Sequence, residues 1–290
     1  VGAGPAGLSC ATVAAERGHD VTLFDQAGEI GGQFNMAKVV PGKEEFHNTI
    51  RYFGKRIENT GVTLKLNTRV AVADLQAQGF DEIVIATGVL PRTPGIPGID
   101  HPKVLSYVDV LRGKAQVGEK VAVIGAGGIG FDVSEFLAEH PRDGEQPLPE
   151  WMKEWGVDMD SDAPGGLVEP EVEKPARQIT LLQRKPTSLG KDLGKTSGWV
   201  HRATLKSRNV DMLKGCSYEK IDDAGLHIKI GEESRVLDVD HVVICAGQES
   251  LRELYQEEAK NFHLIGGADL AAELDAKRAI KQGAEVAAAL

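Results

Sequence analysis

The sequence predicts an α/β fold made of two interleaved Rossmann-like dinucleotide-binding domains, and three observations predict it. The loop pattern G-x-G-x-x-G occurs twice, at Gly2, Gly4, Gly7 and again at Gly125, Gly127, Gly130. Each loop opens a helix pattern and is followed by a short β-branched run, the order of a βαβ unit. The chain has 290 residues, enough for two domains, and its 34 glycines collect in a few loops rather than in a repeating period.

The elements follow in order. The first loop is expected to follow a buried strand, of which Val1 alone precedes it, so the sequence reads as part of a longer or trimmed chain. Ala6–Arg17 is predicted helical with small residues on its packing face, and Val21–Asp25 is a strand ending in an acid. Lys43–Asn59 reads as a helix, Val62–Leu66 and Glu82–Ala86 as strands, and the Pro/Gly-rich Thr93–Pro102 as a domain crossing. Lys120–Ile124 and Ile129–Glu139 then repeat the strand and helix of the first cycle.

The second cycle is interrupted. Asp25 follows Gly2 by 23 positions, whereas Arg184 follows Gly125 by 59. The insert, Pro141–Arg177, carries ten acidic and four basic residues and is expected to be a solvated excursion; one helical candidate, Pro149–Gly156, puts Trp151 and Trp155 on one face, to anchor the loop or meet a partner. After Gln178–Gln183, strand-like runs at Val210–Leu213, Leu226–Ile230, Arg235–Val239 and His241–Cys245 alternate with turns. Phe262–Ile265 and a helix over Leu270–Leu290 complete the chain. These elements divide into a first domain over 1–113, a second over 114–250 with its insert at 141–177, and a return segment over 251–290.

Composition narrows the chemistry. The net charge of −10 argues against nucleic acid or an anionic membrane as partner, and no apolar run is long enough to span a bilayer. Cys10, Cys216 and Cys245 are far apart and give neither C-x-x-C nor zinc spacing, so a reducing, cytoplasmic setting is the default. The histidines show no paired metal spacing, no nucleophile motif is present, and Gly42-Lys43 lacks the upstream glycine of a phosphate-binding P-loop. No catalytic acid, base or metal ligand is therefore assigned.

The glycine loops carry the chemistry. In each, one glycine makes the tight turn, a second lets the backbone approach a pyrophosphate, and a third lets the helix pack with its N-terminus aimed at the anion; Gly128 adds a further small residue to the second loop. Asp25 stands where a carboxylate accepts from a ribose 2′-hydroxyl, or is a surface acid before a turn. At the corresponding strand end after Gln183 stand Arg184 and Lys185, cations that suit a 2′-phosphate or a solvated turn. Gly28 and Gly31-Gly32-Gln33 form a loop small enough for a bulky ring. Gly266-Gly267-Ala268-Asp269 precedes the last helix, either facing a flavin with that helix's N-terminus or serving as its acidic first turn. Hydride transfer between nicotinamide and flavin needs no further acid or base.

With these residues the chain resembles the two-dinucleotide-fold flavoproteins of the disulfide reductase type, without their redox C-x-x-C. Over Glu29–Phe34, Pro41–Phe46, His101–Leu111, Leu182–Lys185, Gly194–Arg202, Val242–Gln248 and His263–Gly267 it is similar to the C-terminal half of the bacterial NADPH-dependent 2,4-dienoyl-CoA reductases, iron–sulfur flavoenzymes related to trimethylamine dehydrogenase. The resemblance implies FAD at Ala6, Gly7, Asp25, Gln33, Lys43 and Val70, completed by Ala86-Thr87-Gly88 and Gly267–Asp269, with NADPH at the second loop, Arg184 and Lys185. It implies further that NADPH reduces FAD, and that a 4Fe-4S cluster and FMN in an N-terminal barrel carry electrons to an enoyl-CoA-type substrate in fatty acid β-oxidation. That barrel is outside this sequence, and Gln248–Asn261 is shorter than the family's linker. Two rivals remain: a structural nucleotide-binding module, and a stand-alone ferredoxin-type reductase, for which the acidic insert would be an awkward docking surface.

Overall fold

The computed structural model describes residues 1–141, 146–272 and 274–290; residues 142–145 of the expected insert and 273 of the expected last helix lie outside the described residues. In chain order the elements are α1 (Pro5–Glu16), β1 (Thr22–Phe24), α2 (Phe34–Ala37), α3 (Phe46–Thr60), β2 (Thr63–Lys65), α4 (Val72–Ala77), β3 (Ile83–Ile85) and β4 (Val89–Pro91). There follow β5 (Val104–Ser106), α5 (Tyr107–Leu111), β6 (Lys120–Ile124), α6 (Gly128–Ala138), α7 (Leu148–Glu154), β7 (Gln178–Leu182), α8 (Gly198–Ser207) and β8 (Asp211–Leu213). The chain ends with β9 (Cys216–Asp222), β10 (Gly225–Ile230), β11 (Glu233–Leu237), β12 (His241–Ile244), β13 (Gln248–Ser250), β14 (Phe262–Leu264) and α9 (Ala276–Ala289). The α/β class with parallel sheets is the one expected.

Two compact units emerge, Val1–Arg92 with Gln248–Leu290, and Thr93–Gly247. The first crossing falls at the Pro/Gly-rich segment that begins at Thr93, as its composition suggested, rather than at the domain bound of residue 113, because β5 pairs in parallel with β12 and so belongs to the second unit's sheet. The return falls before Gln248 rather than after residue 250, because β13 pairs antiparallel with β4.

In the first unit β1 pairs in parallel with β2, and β3 in parallel with β14. Val1 lies between the pairs. Its nitrogen donates to the Val84 carbonyl (2.7 Å), its carbonyl accepts from Ala86 N–H (2.8 Å), and Gly2 N–H donates to Phe24 O (2.8 Å). Val1, β1 and β3 help line a groove of about 420 Å³ with Cys10 and Leu75. Helix α1 packs on α9 through Ala6, Cys10, Ala14, Ala279 and Ala287. Small residues allow this approach: a Cβ on Gly283 would lie 2.3 Å from the Ala6 carbonyl.

The second unit has a five-stranded parallel sheet in the order β5-β12-β6-β7-β8. Val121–Ile124 are all buried, as a parallel strand covered on both faces requires. An antiparallel sheet, β9-β10-β11, packs on it with alternation of period two: Leu226 and Ile228 enter the core beside Ile124, Leu182 and Val242, while His227 and Lys229 are only half-buried. β9 is not among the strands the sequence predicts, because its alternation is broken by a register shift opposite His227 and Ile228.

The described part of the insert is largely exposed, as a solvated excursion should be, but it is tied down at several points. Arg208, 1% exposed at the end of α8, donates to Glu154 of α7 (2.7 Å) and to the Glu173 carbonyl (3.4 Å), with Glu139 at 3.7 Å. Val157 and Leu167 form an antiparallel bridge, and Ala176 N–H donates to Ala138 O. Trp151 and Trp155 meet with ring centroids 6.2 Å apart, but Trp151 stays 47% exposed, so the buried arginine anchors the insert more than the tryptophan pair does. Among the described residues, no helix is long and apolar enough to cross a membrane.

Candidate functional site: two dinucleotide loops

The first loop is built by close backbone approach. Gly2 has φ +105°, and a Cβ there would lie 2.4 Å from Ala86 O; one on Gly7 would lie 1.8 Å from Gly2 O. Neither position accepts a side chain, whereas the nearest atom to a Cβ on Gly4 is Gly32 Cα at 3.9 Å. Gly4 is the N-cap of α1 and Pro5 opens the helix, where its missing N–H costs nothing. The free amides of this turn and the positive end of α1 therefore meet a face open enough for a pyrophosphate.

Three other segments converge on the loop. Gly31 N–H donates to Ala3 O (2.8 Å), and a Cβ on Gly32 would lie 2.9 Å from Gly4 Cα; Gln33 follows as the N-cap of α2. Ala86 reaches both Gly2 and Gly7, Thr87 Oγ1 donates to Leu251 O (2.6 Å), and Gly88 takes φ +76°. A Cβ on Gly266 would lie 2.7 Å from Ala6 Cβ, and one on Gly267 would lie 3.1 Å from the Gly88 carbonyl carbon. Asp25 closes the arrangement: Oδ2 accepts from Ala3 N–H (2.6 Å) and Oδ1 from Ala27 N–H (2.7 Å). It thus shapes the glycine turn, and each oxygen retains acceptor capacity for a ribose hydroxyl.

Two expected residues sit differently. Lys43 is half-buried in the turn before α3, which starts at Phe46 rather than at Lys43. The Val70 side chain is buried with Phe24, Leu75 and Ile83. The last helix starts at Ala276, not Leu270, capped by Asp275, whose Oδ1 accepts from Arg278 N–H (2.7 Å). Gly266–Ala272 is instead a turn whose carbonyls bond to arginines: Arg252 to Ala268 (2.8 Å) and Asp269, Arg278 to Leu270 (2.6 Å) and Ala272 (2.9 Å). Asp269 is consequently not in a helix's first turn. Its Oδ2 accepts from Gln282 Nε2 (2.7 Å). Arg252 and Gln282 were not singled out from the sequence, because no local motif marks a side chain that acts across 13 or more residues.

The second loop repeats the close backbone approaches of the first. Gly125 has φ +112°, with a Cβ there 2.3 Å from Cys245 O, and a Cβ on Gly130 would lie 1.7 Å from Gly125 O. At Gly127, the N-cap of α6, and at Gly128 a Cβ would meet nothing within 4 Å. The strand end differs. Gln183 Nε2 donates to Lys185 O (3.0 Å) and to Thr187 O, bracing a turn that leaves Arg184 and Lys185 exposed; Lys185 Nζ is 3.7 Å from Asp192. The two loops share their close backbone approaches, and the strand ends that follow them carry opposite charge.

All three thiols are free and buried. Burial pushes Cys10 up to about 11 and raises Cys216 and Cys245 as well, so they are protonated at neutral pH and do not form a reactive dithiol. Among the described residues no group of three His, Cys, Asp or Glu side chains could hold a metal ion.

Residues 1–271 match the family model described as pyridine nucleotide-disulphide oxidoreductase. The chain belongs to that family. Within it, the chain is 30% identical over 268 residues to a metal reductase of Desulforamulus reducens, covering 88% of this chain and 38% of the relative. It is 28% identical to a cinnamate reductase of Clostridium sporogenes, covering 93% and 36%. Among solved structures, a 2-naphthoyl-CoA reductase in complex with 2-naphthoyl-CoA is 26% identical, with a TM-score of 0.81 over 100% of this chain and 39% of that one. Thioredoxin reductase of T. acidophilum, 17% identical, shows the same fold with a TM-score of 0.67 over 100% and 95%. The chain thus spans under two-fifths of the length of the curated relatives and has the two-dinucleotide fold of a pyridine-nucleotide flavoprotein.

Proposed function

We propose that this chain is an NADPH-to-FAD electron-entry module. FAD is held in the first unit by Gly2, Gly4, Ala6, Gly7, Asp25, Gly32, Gln33, Lys43, Val70, Ala86, Thr87, Gly88, Gly267, Ala268 and Asp269. NADPH is held in the second by Gly125, Gly127, Gly128, Gly130, Arg184 and Lys185. The observation that carries this reading is the pairing of one loop geometry, used twice, with opposite strand-end charge: Asp25 for an unphosphorylated ribose, Arg184 and Lys185 for a 2′-phosphate. Bound FAD supplies a ring that accepts a hydride from a nicotinamide and releases electrons singly or in pairs. The chain's residues bind and orient; with three protonated, buried thiols they provide no disulfide relay.

In the parent enzyme we assign the module to 2,4-dienoyl-CoA reduction, with FMN, a 4Fe-4S cluster and the thioester site in a separate N-terminal barrel. The sequence resemblance and the naphthoyl-CoA reductase relative, a CoA-thioester enzyme more than twice as long, support this assignment.

The test is an anaerobic visible spectrum of the FAD-loaded chain, titrated with NADPH and with NADH. NADPH is expected to bleach the flavin band in preference to NADH, and Arg184→Ala with Lys185→Ala to abolish that preference. A flavin that stays oxidised with either nucleotide would leave a structural nucleotide-binding role. An unchanged preference in the double variant would overturn the assignment of the 2′-phosphate site.

A further inference from the structure

The turn that carries Asp269 is held by an amide from another element. Gln282 of α9 donates through Nε2 to Asp269 Oδ2 (2.7 Å) and accepts through Oε1 from Gly266 N–H (2.8 Å). Gly266 takes φ +62°, and the turn's carbonyls are bonded to Arg252 and Arg278, so Gln282 alone of these three side chains engages the carboxylate. Its neighbour Gly283 lies against α1, where an added Cβ would be 2.3 Å from the Ala6 carbonyl oxygen.

The chemistry of these two bonds is restrictive. A lysine at position 282 would satisfy the carboxylate but could not accept from Gly266. A glutamate would accept from Gly266 but present a like charge to Asp269. A primary amide does both, with a donor on one atom and an acceptor on the other.

We propose that Gln282 is a positioning residue for flavin binding: it holds the Asp269 carboxylate in one orientation by engaging Oδ2, so that Oδ1 meets a hydroxyl of the ribityl chain. This rests on the assignment of FAD to the first unit. Pre-orienting the carboxylate removes the ordering cost from the binding step, and a hydrogen bond to a charged group is among the stronger ones.

The test is FAD affinity, read by flavin fluorescence in the 290-residue chain, together with the melting temperature of the FAD-free chain. Wild type must bind FAD; failure would refute the FAD assignment itself, separately from this inference. Gln282→Glu is expected to weaken FAD about tenfold or more. Combining Gln282→Glu with Asp269→Asn restores the bond in reverse, because the asparagine amide donates to the new carboxylate and keeps an acceptor for the ribityl hydroxyl. The double variant is expected to recover most of the loss. Gln282→Met, of similar length, removes both bonds and should lose affinity; because it leaves the buried Gly266 N–H without its acceptor, its FAD-free chain should also melt lower, and recovery in the double variant is what separates positioning from stability. Wild-type affinity in Gln282→Glu or no recovery in the double variant would each overturn the proposal.

Discussion

Gly127→Ala and Gly130→Ala, three residues apart in one loop, should fail for different reasons. At Gly130 an added methyl would lie 1.7 Å from the Gly125 carbonyl oxygen, half the 3.4 Å at which ordinary contact begins. Both partners are backbone, Gly125 is already fixed by its φ of +112°, and α6 must therefore lift from the sheet. Overpacking a core costs about 1–3 kcal/mol where side chains can yield; here the cost should reach about 3 kcal/mol or more. At roughly 2–4 °C per kcal/mol for a unit of this size, melting should fall by about 6–12 °C. Gly127 has φ −84° and open space around its Cβ position, so alanine there costs only the difference between two N-caps, about 1 kcal/mol or less. Its methyl instead occupies the face that a pyrophosphate would approach, and NADPH affinity should fall about tenfold or more. Circular dichroism melts and a nucleotide fluorescence titration separate the two effects. Wild-type melting in Gly130→Ala would refute the packing argument, and wild-type NADPH affinity in Gly127→Ala would refute the assignment of that face.

Three further outcomes follow from the structure. Arg208→Met removes the buried guanidinium that ties α7 and Glu173 to α8 and strands the partly buried Glu154 carboxylate; it should cost about 3–5 kcal/mol and open the insert to limited proteolysis, which an unchanged digestion pattern would contradict. In native protein at pH 8, none of the three thiols should react with an aromatic disulfide reagent until denaturant is added, and one rapid equivalent would show that a cysteine is accessible. Lys220 Nζ at 2.7 Å and His227 Nε2 at 2.8 Å hold the half-buried Asp222 carboxyl well below its usual range. A depressed carboxyl stabilises above its unfolded value of about 3.9 and loses that contribution as pH falls toward the folded value. Asp222→Asn should therefore melt below wild type at pH 6, and the gap should close under acid rather than widen.

The parts of the fold legible in the sequence are those whose physics is local. The glycine loops, the helices they open and the buried run Val121–Ile124 were readable because a tight turn needs glycine at fixed spacing and a doubly covered strand reads as unbroken apolar sequence. The charge contrast between Asp25 and Arg184-Lys185 was readable for the same reason, since each follows its strand directly. The broken alternation of β9 and the late start of α9 were not. Each depends on a partner far along the chain: β10 across a register shift, and arginines bonding the carbonyls of 266–272. The insert shows the difference most plainly. Its composition predicts a solvated excursion, and most of its described residues are exposed; what the composition does not show is the tie to Arg208, where a fully desolvated guanidinium needs carboxylates around it. The sequence alone determined which residues could cradle two dinucleotides and which sign of charge each cradle offers. Tertiary structure decided that Asp25 also ties the first turn together and that Asp269 is aimed by Gln282, since these bonds join residues that only packing brings within reach.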